Sequence, residues 1–91
     1  MKRLPIAIFP LSENWELAYD PLQWILQKRC VDKIREGYYW QGKHFIAERK
    51  RILLRVIDEN NIEVDEASKK YLEDLPDTFR AWYDLNGAAE A

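Results

Sequence analysis

Trp15-Glu16-Leu17-Ala18-Tyr19-Asp20, followed by Pro21, alternates large apolar and mostly polar residues for six positions and then stops at a proline. Trp15, Leu17 and Tyr19 share one face and Glu16, Ala18 and Asp20 the other, the period of a half-buried strand. Asp-Pro closes it, because proline fixes φ and disfavours the helical region for the residue before it. Residues 23–31 then follow as the returning strand of a hairpin. Their two faces, Trp24/Leu26/Lys28/Cys30 and Gln23/Ile25/Gln27/Arg29/Val31, both carry apolar residues, so one face packs on a helix and the other is only partly covered. A helix over residues 22–34 competes, since Leu22, Ile25, Leu26, Arg29 and Cys30 also fit helical spacing.

Upstream, residues 4–11 are apolar but contain Pro5 and Pro10, which lack an amide donor, so residues 1–14 read as an extended arm or an edge strand. Downstream, residues 32–37 are charged and end in glycine, a loop. Residues 38–45 (YYWQGKHF) read as a third strand whose Gly42 marks a bulge or a close backbone approach, so residues 15–46 form a β-meander. Residues 47–60 read as the main helix, with Ile46, Leu53, Val56 and Ile57 on one side and Asn60-Asn61 as its end. Its cations lie in the body and Asp58 and Glu59 at its C-terminal end, against the helix dipole, which implies another reason for their placement. In the acidic stretch 65–86, Asp65 is placed to cap a helix over 66–75 with Ala67, Tyr71, Leu72 and Leu75 inward. Pro76 breaks it, and Asp77 or Thr78 caps a short helix with Phe79, Trp82 and Tyr83 in one stripe. Residues 88–91 are expected to fray. The expected fold class is α+β in one domain: a small antiparallel sheet of about three strands on one long helix, then one or two short helices.

Charge is segregated along the 91 residues. Residues 28–55 hold nine basic side chains against three acidic ones (+6), and residues 56–91 hold three against ten (−7), within a net charge of −2. Separated charge makes oriented surface fields even when the total is small, which points to a binder. Lys2 and Arg3 before the apolar run imitate a signal peptide, but two prolines break that run. No apolar stretch approaches the ~18–20 residues of a membrane span, so a cytoplasmic protein is expected. Cys30 is the single cysteine, so no internal disulfide can form. His44 is the single histidine and has no co-ligand or orienting partner at a useful spacing. No phosphate-loop, zinc-hydrolase, nucleophile-elbow or CxxC pattern occurs, and a non-enzymatic chain without cofactor or metal is expected.

Two surfaces stand out. Trp24, Tyr38, Tyr39 and Trp40 would anchor a protein partner where exposed, with Glu66, Glu73 and Asp74 steering the encounter. Alternatively, Lys43, Arg49, Lys50, Arg51 and Arg55 would neutralise phosphates while Tyr39 and Trp40 stack on bases. A homodimer pairing one copy's acidic half with the other's basic half is a further option.

Three segments, Asp20-Pro21-Leu22-Gln23-Trp24-Ile25-Leu26-Gln27-Lys28-Arg29, Tyr39-Trp40-Gln41-Gly42-Lys43-His44-Phe45-Ile46 and Leu53-Leu54-Arg55-Val56-Ile57, resemble a pattern in small proteins of undefined activity carried by phages, prophages and other mobile elements. The resemblance spans residues 20–57 and brings no functional residue. It implies an accessory gene whose product binds a host or phage protein, such as a component of a defence system.

Overall fold

The computed structural model describes residues 4–87. Four strands, β1 (Ile6–Pro10), β2 (Trp15–Asp20), β3 (Gln23–Asp32) and β4 (Gly37–Ile46), form an antiparallel meander in the order β1-β2-β3-β4. Helices α1 (Lys50–Glu59), α2 (Glu66–Asp74) and α3 (Phe79–Trp82) follow, and α3 runs into a π-helical turn, Tyr83–Gly87. The fold is α+β with four strands rather than about three. The prolines of the first segment leave it enough donors to pair with β2 as an edge strand, with a register shift between Ala7 and Phe9. The helix over 22–34 does not form, because β2 and β4 bracket β3 and take up its backbone groups.

All the helices lie against one face. Leu17 and Tyr19 of β2, Trp24 and Leu26 of β3 and Ile46 of β4 point inward to meet Leu53 and Ile57 of α1, Leu72 of α2, and Phe79 and Trp82 of α3. Trp24 is 0% exposed. Its ring meets Phe79 edge-on at 5.5 Å, and Tyr19 meets Trp82 edge-on at 4.9 Å, the geometry aromatic quadrupoles favour.

The chain between elements is tied by backbone bonds. Lys50 N donates to Asp77 O (2.8 Å) and Phe79 N to Glu48 O (2.8 Å), so the entries of α1 and α3 pair like two short strands. Residues 47–49 are spent on this clip, which is why α1 begins at Lys50 rather than Ala47. At the other end of the sheet, Asp65 N donates to Leu11 O and Ser68 Oγ to Pro10 O, both at 2.7 Å, fastening α2 to the exit of β1. That bond turns Ser68 inward with Leu72. Ala67 and Tyr71, expected inside, are exposed instead, and Tyr71 only touches Phe9 at the edge (5.4 Å). Asp65 occupies the N-cap position without a side-chain cap bond, whereas Thr78 Oγ1 accepts from Ala81 N at 3.1 Å. Asn61 has a left-handed backbone (φ 51°), as expected for the end of α1. The fraying expected over 88–91 lies outside the described residues.

Because Trp24 joins both layers, Trp24→Ala should cost about 3–5 kcal/mol, the range for emptying a buried aromatic site. That is a large share of the stability of a domain this size. Urea unfolding checks it; a loss below about 1 kcal/mol would contradict the packing described.

Candidate functional site: the uncovered face of the sheet

An antiparallel sheet with one face in water normally carries polar side chains on that face. Here the register places Val31 opposite Tyr38, Arg29 opposite Trp40, Gln27 opposite Gly42, and Ile25 opposite Phe45, all on the face away from the helices. Leu22, in the turn before β3, extends the strip. Leu22, Val31, Tyr38, Trp40 and Phe45 are all exposed. Contiguous exposed apolar surface is uncommon on a monomeric domain, which makes this strip the candidate site.

Beneath the strip the sheet is closed. Ala18 and Ile25 are buried although no helix covers them. Gly42 makes this possible. A Cβ there would stand 3.1 Å from Phe45 Cζ and 3.2 Å from Ile25 Cγ2, so glycine lets the Phe45 ring lie across the strand where any side chain would crowd it. The register shift expected near Gly42 is present, with Lys43 unpaired between Gly42 and His44. Phe45, Ile25, Leu22, Pro21, Pro5 and Leu4 enclose an open groove of about 630 Å³ at this end.

At the other end, β2 stops pairing where Trp15 meets Lys28, so β3 and β4 continue alone as a two-stranded arm. The Arg29 guanidinium lies 4.5 Å over the Tyr38 ring and is 3.3 Å from Glu13, which holds the outer side of the arm in place. Tyr39 is exposed on the arm's opposite side. His44 stacks on Trp15 at 6.3 Å, and Lys28 sits 5.9 Å over the same ring, so His44 is an edge packing residue. Cys30 Sγ rests 3.6 Å from Gln41 Oε1.

The residues singled out from sequence fall into separate places. Trp24 is excluded as an anchor by its complete burial. Tyr38 and Trp40 share the open face, and Tyr39 lies behind them. Glu66, Glu73 and Asp74 are exposed on α2. The cations of α1 lie in the helical layer, across the sheet from Tyr38, Trp40 and Phe45 and on the side where Tyr39 is exposed, so segment 38–55 is divided between two faces. Lys50 is engaged elsewhere: its Nζ donates to Glu73 O (2.9 Å) and Leu75 O (2.8 Å), capping the C-terminal carbonyls of α2. Arg55 pairs with Glu59 at 3.5 Å. Arg49 forms a backbone bridge to Thr78. Phe45 and Leu22 were not singled out from sequence; the alternation of the third strand about Gly42 was the signal that could have found Phe45.

Glu16 projects from β2 onto the open face beside Gln27, and burial raises its carboxyl above the ordinary value. Asp20 stands on the same face at the groove. Among the described residues no group of three His, Cys, Asp or Glu side chains is placed to hold a metal ion, and no helix is long and apolar enough to cross a membrane. Compared with known families, curated proteins and solved structures, the chain matches none.

A carboxyl raised by burial favours the folded state while protonated, and that contribution is lost as pH rises through its folded pKa. Glu16→Gln should therefore raise stability at pH 7, and the gain should shrink to nothing as pH falls below the ordinary carboxylate range. Thermal unfolding across pH 3–8 checks this (about 4–8 °C per kcal/mol for a domain of this size); a constant difference across that range would contradict it.

Proposed function

We propose that this chain is a non-enzymatic protein-interaction module that presents the open face of its sheet to a protein partner. The observation that carries this reading is the strip from Leu22 through Phe45 and Trp40 to Tyr38 and Val31, apolar and uncovered on the side where a solvated sheet would be polar. Trp40 and Tyr38 are the anchors, because large amphipathic aromatics bury much area at low entropic cost. Arg29 preorganises Tyr38 for that role. The exposed acids of α2, among them Glu66, Glu73 and Asp74, steer the approach of a partner carrying a basic patch. The resemblance of residues 20–57 to proteins of phages and mobile elements supports an accessory gene as the setting, cytoplasmic action, and a host protein such as a defence-system component as the target.

A protein partner is favoured over nucleic acid by the charges that share the face. Glu16 and Asp20 share the face and repel phosphates, Arg29 beside the aromatics is held over Tyr38, and Arg49, Lys50, Arg51 and Arg55 lie across the sheet. In affinity capture from host extract, wild type and Arg51→Glu/Arg55→Glu should retain the same partner. Tyr38→Ala/Trp40→Ala should lose it, with affinity for the identified partner down about 30-fold or more, the scale of hot-spot truncation. Labelled single- and double-stranded DNA and RNA should not bind at about 50 mM salt. Tight binding that collapses by about 200 mM would move the function to nucleic acid.

A further inference from the structure

The exposed apolar residue furthest from any packing role is Ile34, 93% exposed at the tip of the β3–β4 arm. Its exposure is built in. Asp32 Oδ1 accepts hydrogen bonds from Ile34 N (3.0 Å) and Arg35 N (3.1 Å), and Glu36 takes a left-handed backbone (φ 52°), so the four-residue tip has a defined shape. Lys33 and Arg35 flank Ile34. The four-residue tip thus sets one apolar side chain between two cations and ends on exposed Glu36, so Lys33 and Arg35 outweigh its one carboxylate by a single charge, and it is ordered before it meets anything.

On the helical layer lies a feature of opposite character. An open groove of about 510 Å³ runs between α1 and α2, with Ile57, Ile62, Val64 and Leu72 among its lining. Asp58 and Glu73 also line it, and among the described residues their carboxylates are in no ion pair. The one cation on it, Lys69, is 3.1 Å from Glu66. The groove is therefore an apolar seat with acidic edges, and the tip does not fill it within one molecule, since Ile34 is solvated.

We propose that two copies of the chain pair by exchanging arm tips, Ile34 of each entering the α1–α2 groove of the other with Lys33 and Arg35 against Asp58 and Glu73. Charge complementarity selects the occupant: each copy carries both the basic tip and the acidic groove. A reciprocal exchange uses both contacts in one closed two-fold dimer. The apolar seat supplies affinity, and the exposed ion pairs supply orientation and salt sensitivity. The ordered tip lowers the entropic cost of docking. This pairing stands independently of the open-face reading, because Ile34 and the groove take no part in that strip.

Sedimentation and light scattering on the full chain test it, up to about 100 µM, where a micromolar self-association is saturated. The expected result is a dimer at about 50 mM salt that weakens at about 500 mM as the Debye length shortens. Ile34→Asp should be monomeric. Lys33→Glu/Arg35→Glu and Asp58→Lys/Glu73→Lys should each self-associate at least about tenfold more weakly, since like charges then meet. Mixed one to one, these two variants should form a heterodimer, because each tip then faces a groove of opposite charge. All five positions are exposed, and circular dichroism checks that the variants fold. A wild type monomeric throughout, open chains in place of dimers, self-association unaffected by Ile34→Asp, or no recovery in the mixture would each overturn the proposal.

Discussion

Trp24 binds the two layers together, and its side of the sheet determines what the other side can be. Its ring is buried among Phe79 and Trp82, themselves edge-on or tilted to Trp24 and, at Trp82, to Tyr19. Every helix follows β4 in the chain, and every one is drawn to this aromatic cluster. A domain this small lacks the surface to bury two sheet faces. Once Tyr19, Trp24, Phe79 and Trp82 define the inner face, the aromatics of β4 fall on the opposite face or on the arm, and no element among the described residues covers them. The open strip is thus the complement of the core.

Local pattern was sufficient wherever one residue type had one physical job. The alternation of residues 15–20 set the face of β2, Asp20-Pro21 set the hairpin, Gly42 marked the register shift, Asn61 ended α1, and the Phe79/Trp82/Tyr83 stripe set α3. Pattern failed where a distant partner decided. Whether residues 4–11 paired or wandered depended on β2 accepting an edge strand. Ser68 turned inward because its hydroxyl meets Pro10 O, a partner 58 positions away, displacing Ala67 and Tyr71 from the inner face. Trp24 looked like an anchor because both faces of β3 carry apolar residues, and only the position of α3 tells them apart. For the candidate site, Tyr38 and Trp40 were visible from sequence, while Phe45 and Leu22 needed the register that brings them onto one strip.

The cations of α1 show how a linear charge pattern can mislead about a surface. Lys50 and Arg51 in the first turn and Asp58 and Glu59 in the last oppose the helix dipole, and the placement has structural causes. Lys50 reaches across to cap α2, where its charge meets the negative end of a second dipole. Arg55 and Glu59, one turn apart, satisfy each other. A mismatch on one helix is resolved as a bond between two.

Segregated charge therefore translates into three surfaces rather than two halves. The basic half divides between an arm that projects beyond the helical layer and a helix whose cations partly serve internal contacts. The acidic half lines the outside of α2 and the groove beside it. The open face between them carries only scattered charge, with Glu16 and Asp20 opposing Arg29. Phosphate binding draws on many cations acting on one tract. This fold spreads its cations over two sides of a sheet and sets Glu16 and Asp20 on the same face as Tyr38, Trp40 and Phe45. The proposed protein partner, recognised by shape and apolar contact with charge setting the direction of approach, is the reading this arrangement favours.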